Sequence, residues 1–171
     1  MNQTIRRVSW IDWLIFASSV LFILVLALSA FYDPSIRVLH LFQALIYVAV
    51  ILLTRRGSAW GYGAGSIMAT LWNWTNLVHT TFIKVGLVQL SNLLQTGHIN
   101  RPDLLIAVFA AAAHFVLIGS CVIGYFRIRP RGRWEPVKFW AGGLAAISYF
   151  AGIIFVFGPQ YVSLLRRVFG I

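Results

Sequence analysis

Three histidines and a set of neutral hydrogen-bonding side chains recur at helical spacing inside otherwise apolar sequence. His40, Gln43 and Tyr47 lie three and four residues apart, so they share one helix face, with Arg37 one turn before them. A second stripe runs Tyr62, Ser66, Thr70, Asn73, Asn76 and Thr80, with His79 beside it. His114 follows an alanine run at 110–113, whose small side chains leave room beside an imidazole. Polar groups of this kind are costly in lipid, so they face protein or a water-filled space. They suit two kinds of chemistry. Neutral amides, hydroxyls and imidazoles can hydrogen-bond an uncharged ligand, and paired histidines can ligate haem iron from both sides.

Other chemistries find no residues to carry them. The chain has four carboxylates, Asp12, Asp33, Asp103 and Glu135, and none lies in the interior of an apolar stretch: the three aspartates sit at edges and Glu135 in a loop. Ion coupling through membrane carboxylates and hard-metal binding both need such groups. No acid stands near a histidine to complete a hydrolytic triad, and no HExxH occurs. The single cysteine, Cys121, makes no internal disulfide and no thiolate-held cluster. A non-enzymatic protein is expected. Gly61, Gly63 and Gly65 look like part of a nucleotide loop, but no strand precedes them and no Gly-Lys-Ser/Thr follows. Gly61, Gly65 and Ala69 are better read as a helix-packing face, and Ala141, Ala145, Ser148 and Gly152 as another, for folding or for oligomer contacts.

The elements that position these residues follow from composition. Of 171 residues, 60% are hydrophobic and 11% charged, against about half and a quarter in a soluble domain. Too few charges are present to cover a soluble globule. The chain reads as an all-α polytopic membrane helix bundle, a single domain of five transmembrane helices. The expected spans are 10–32, 35–54, 60–82, 103–126 and 139–158. Ser9 and Asp12 form a capping-box start, Asp33-Pro34 and Pro102-Asp103 open helices, and Gly158-Pro159 ends one. The first span is long and begins with Trp10 and Trp13, which favours a retained helix over a cleaved signal. Two further stretches, 83–95 and 161–169, are amphipathic and fit short interfacial helices or extensions of the neighbouring spans.

The net charge is +10. Arg6, Arg7, Arg55, Arg56, Arg127, Arg129, Arg131, Arg133 and Lys138 flank one side of the spans. Arg37, Lys84, Arg101, Arg166 and Arg167 flank the other. The richer side is cytoplasmic by the positive-inside rule, which puts the N-terminus inside a bacterial-type cytoplasmic membrane. Arg166 and Arg167 fall on the outer side under five crossings. The loop carrying Arg127, Arg129, Arg131 and Arg133 faces the anionic inner leaflet, at about 1 kcal/mol per basic residue near the surface. Pro130 and Pro136 make it a stiff connector. The charge is explained by the membrane, without nucleic acid as a partner.

The second and third spans are joined by a short loop and so run antiparallel. At about 1.5 Å per residue, Gln43 falls about 12 Å deep, between Asn76 at about 9 Å and Asn73 at about 14 Å. Tyr47 and Thr70 meet near about 18 Å, and His114 lies about 16 Å down the fourth span. The stripes match rung by rung. One reading is an outer-half cavity for a small neutral or aromatic ligand, lined by His40, Gln43, Tyr47, Thr70, Asn73, Asn76, His79 and His114, with Trp72 and Trp74 as an aromatic wall. The other is interhelical glue, worth about 0.6–2 kcal/mol per polar contact. A haem b held by His40 and His79, a quinone-binding redox subunit, and a structural subunit of a homo-oligomer or larger membrane complex are the alternatives.

Two families share features with the chain. Five spans in a short Trp-rich sequence resemble the tryptophan-rich sensory protein (translocator) family in size and topology, though its Trp- and Pro-containing motifs are absent. That resemblance implies porphyrin or sterol binding. Arg55-Arg56-Gly57 followed by Gly61 and Gly65 resembles, over about ten residues, a helix-to-helix passage in the vitamin-binding S components of energy-coupling factor transporters. Those proteins have six spans. Neither resemblance carries a family assignment.

Overall fold

A computed structural model describes residues 9–128 and 132–170. Its elements are helices joined by short turns: α1 Trp10–Tyr32, α2 Arg37–Arg55, α3 Ala59–Trp74, α4 Phe82–Thr96, α5 Pro102–Phe126, α6 Glu135–Phe157 and α7 Val162–Phe169. Two 3₁₀ turns, Pro34–Ile36 and Pro159–Tyr161, lead into α2 and α7, and a π-helical turn, Thr75–His79, continues α3. Four helices are long and apolar enough to cross a membrane, and the bent pair α3–α4 supplies a fifth crossing if it counts as one span.

Local sequence explains the ends. At the start of α1 the Ser9 N–H donates to Asp12 Oδ2 at 2.7 Å and the Asp12 N–H donates to Ser9 Oγ at 3.3 Å, a reciprocal capping box. Asp33 caps the turn into α2 by accepting from the Ser35 amide (3.0 Å) and hydroxyl (2.6 Å). Gly57, at φ 69°, makes the tight turn between α2 and α3. Pro136 sits in the first turn of α6. The helix therefore starts at Glu135, not at Phe139, and the expected stiff connector is shorter. Proline fits there because its missing N–H is one that a first turn leaves unused.

The third expected span, 60–82, is also corrected. Helical structure ends at His79, Thr80 is extended (φ −128°, ψ 176°), and the chain bends by 78° into α4. The amphipathic stretch 83–95 is thus a separate helix rather than a continuation. Its Gln89 is buried, and Gln89 Oε1 accepts from the Asn100 and Arg101 amides at 3.1 Å each, tying the α4–α5 loop back onto α4.

α3 is the central helix, packed on α2, α5 and α6, while α1 packs on α2 and α5. Small residues let α3 approach so closely. A Cβ at Gly61 would meet Leu53 and Thr54 of α2, and one at Gly65 would meet Cys121 and Val50. The expected packing face on α3 therefore serves the fold of this chain. On α6 a different face packs inward. Gly142 lies against the Trp60 carbonyl, Gly143 against Ile67, and Ala146 is buried, whereas Ala145, Ser148 and Gly152 are exposed. Arg127 sits over the Trp10 ring and Arg55 over Phe16, so the end of the bundle where α1 begins is basic. The opposite end holds Asp33, Arg101, Asp103 and Tyr161.

Candidate functional site

A cavity of about 380 Å³ opens at the Asp33 end, between α1, α2, the π turn of α3, α5, α6 and α7. That volume lies at the lower end of the range for small-molecule sites, about 300–1,000 Å³. Phe22, Trp72 and Ala110 form its deep part, and His40, Gln43 and Asn76 supply polar groups on its walls. Asp33, Arg101 and Asp103 line its mouth. Arg101 and Asp103 are joined by a two-pronged ion pair, Nε–Oδ1 at 2.9 Å and Nη2–Oδ2 at 2.6 Å. Hydrogen bonds from the Ser35 hydroxyl and amide hold the Asp33 carboxyl below the usual carboxylate range.

The polar wall has specific hydrogen-bonding states. His40 Nδ1 lies 3.1 Å from the Leu26 carbonyl of α1. A carbonyl only accepts, so Nδ1 carries the proton, and in the neutral ring Nε2 is left as an acceptor. Asn76 is satisfied within its own helix, with Nδ2 donating to the Trp72 carbonyl (2.9 Å) and Oδ1 accepting from the Thr80 hydroxyl (3.2 Å). Gln43 differs. It is only 4% exposed, it lines the cavity, and its amide has no hydrogen-bond partner among the described residues.

Beneath the cavity four helices meet at His114. Tyr47 Oη and His114 Nε2 are 2.6 Å apart, and both side chains are fully buried. The Phe22 ring lies 4.0 Å and the Trp72 ring 4.7 Å from the imidazole. Phe22 and Trp72 thus belong both to the cavity and to the packed layer below it.

Of the residues singled out by spacing, His40, Gln43, Trp72 and Asn76 share the cavity. Tyr47 and His114 are brought together under it and do not line it. Asn73 is buried against α5, its Nδ2 donating to the Ala111 carbonyl at 3.5 Å, while its Oδ1 has no partner. Thr70 is exposed and donates to the Ser66 carbonyl of its own helix at 2.8 Å. Trp74 points outward, 54% exposed, with His79 edge-on to it at 6.3 Å. His40 therefore lines the cavity and His79 does not. Of the basic loop, Arg127 caps α5 and Arg133 sits over the Trp134 ring, while Arg129 and Arg131 lie outside the described residues.

Helix geometry explains why Thr70 leaves the stripe. At about 100° per residue, the two steps of four from Tyr62 through Ser66 to Thr70 drift about 80° off the starting direction. The steps of three to Asn73 and Asn76 swing back past it. Spacing missed α1, which contributes Phe22, Val25, Leu26 and Ser29, because that helix is apolar on nearly every side. It also missed α7. Leu164, Leu165 and Val168 of α7 turn towards the cavity while Arg166 and Arg167 are exposed, so its apolar face covers the mouth. The amphipathic pattern was the available signal.

A second, apolar groove of about 280 Å³ runs along α2, α3 and α6, lined by Leu53, Trp60, Ala145 and Tyr149 among others. Among the described residues no group of three His, Cys, Asp or Glu side chains is placed to hold a metal ion. No protein-family model, curated protein or solved structure matches the chain.

Proposed function

We propose that this is a small membrane protein that binds, or passes across part of the bilayer, a small neutral or aromatic molecule held in the cavity above His114. The carrying observation is Gln43, whose primary amide lines a cavity of about 380 Å³ and makes no hydrogen bond to another described residue. Asn73, by contrast, does not line the cavity and donates across to the Ala111 carbonyl of α5. An amide that faces a cavity with no protein partner is free to pair with a bound ligand.

The charge distribution supports a site in the outer half of a bacterial-type cytoplasmic membrane, with the N-terminus inside. The nine basic residues named above for the cytoplasmic side exceed the five on the other. α7, joined to α6 through Gly158-Pro159, would then lie at the outer surface as a cover on the mouth.

The test is thermal unfolding of the purified protein across a panel of vitamins, porphyrins and quinones, beside an Ala107→Trp variant whose indole fills the cavity. A ligand should raise Tm in the wild type and leave the filled variant unmoved. Equal shifts in both proteins, or none across the panel, would sink the reading.

A further inference from the structure

We propose that the molecule bound in this cavity is a neutral aromatic hydroxyl compound, of phenol or quinol type, whose O–H donates to His40 Nε2 and whose oxygen accepts from the Gln43 amide. The inference rests on the cavity reading and adds the ligand's hydrogen-bonding code.

Three observations carry it. First, the Leu26 carbonyl fixes the His40 tautomer, so the neutral ring presents an acceptor and no donor at Nε2. A ligand that meets this atom must bring an O–H or N–H. Second, Gln43 is one turn further down α2 on the same cavity wall, with its amide unpaired. It offers N–H donors beside the His40 acceptor, and a hydroxyl is the smallest group that satisfies both at once. Third, the surroundings are aromatic and uncharged at this level. Phe22 and Trp72 lie in the deep part and Phe150 lines it from α6, while the charged groups Asp33, Arg101 and Asp103 stand at the mouth. A flat ring presents its faces or edges to such walls favourably. A charged ligand would find no counter-charge among these deep residues.

A site whose polar groups are paired only by the ligand's hydroxyl rejects the analogue lacking it, because those groups are then left unsatisfied. The probes are 2-naphthol and 2-methoxynaphthalene, matched in ring and differing in the O–H. Binding to full-length protein in neutral detergent is measured by equilibrium dialysis. Specific binding is the part lost in Ala107→Trp, or in Leu164→Trp should the first variant not fold. The wild type should bind 2-naphthol at least tenfold more tightly than its ether. His40→Asn keeps a donor for the Leu26 carbonyl but removes the acceptor at the Nε2 position, so it should abolish that preference by weakening 2-naphthol. Gln43→Leu should weaken both probes, because the hydroxyl and the ether oxygen alike accept from the amide. Equal affinity of the two probes for the wild type, or a preference unchanged in His40→Asn, overturns the hydroxyl code and leaves the cavity reading standing. No cavity-dependent binding of either probe overturns both.

Discussion

Tyr47 Oη meets His114 Nε2 at 2.6 Å, and neither side chain is exposed. The pair joins α2 to α5 through the middle of the bundle and supports Phe22 and Trp72, which form the deep part of the cavity. On the proposed function, the pair holds the layer on which a ligand would rest.

Tyr47→Phe removes one partner and leaves His114 Nε2 buried and unpaired. Such a group costs about 1–3 kcal/mol. The variant should unfold at lower temperature in detergent. Combining it with His114→Leu should recover part of the loss, since the orphaned nitrogen is then gone. Additive losses in the double variant would contradict the pairing.

Gln43→Leu should behave in the opposite way. It removes an amide that makes no hydrogen bond to another described residue, so Tm without ligand should hold or rise, by an amount equivalent to up to about 1 kcal/mol. Ligand-induced stabilisation should fall in the same protein. A fall in ligand-free Tm would mean that the amide has a structural partner.

The glycines of the α3–α6 contact make a separate prediction. A Cβ at Gly63 or Gly142 would collide with the backbone of Phe139 or Trp60, whereas one at Gly119 meets nothing within 4 Å. Gly142→Ala should cost about 1–3 kcal/mol or more through overpacking. Gly119→Ala lies on an open helix face and should be neutral or stabilising by up to about 1 kcal/mol. Unfolding temperatures of the two variants decide the matter. Equal effects would contradict the close approach of α3 and α6.

Asp33 supplies a pH dependence. Its carboxyl is held below the usual range by Ser35, so its contribution is present above the ordinary carboxylate value and is lost as pH falls through the lowered one. Wild-type Tm should therefore drop on acidification below about pH 4. The drop should be smaller in Ser35→Ala, which lacks the hydroxyl bond. Identical pH profiles would remove Ser35 as the cause.

Much of the arrangement could be read from the residues, and the misses have physical reasons. Long apolar runs and their caps locate α1, α2, α5 and α6 within a few residues, because proline, glycine and capping groups act locally. Depth counting along antiparallel helices put Gln43 and Asn76 on neighbouring rungs, and both line one cavity. Rotation about the helix axis is harder to read. Thr70 and Trp74 have suitable depth and chemistry but face outward, since steps of four drift and steps of three return. The bend after His79 is hidden because no proline or glycine lies between Gly65 and Gly86 to mark it. The contributions of α1 and α7 depend on which neighbour each helix chooses, and that is a property of the packed bundle.

The central claim is that a small molecule occupies the space beside Gln43. Native mass spectrometry of protein released from detergent tests it most directly. Wild-type protein drawn from membranes should carry the added mass of one small molecule, lost on activation and missing from Ala107→Trp and Gln43→Leu. Wild-type protein of bare polypeptide mass, still bare after incubation with the vitamin, porphyrin and quinone panel, would contradict the account.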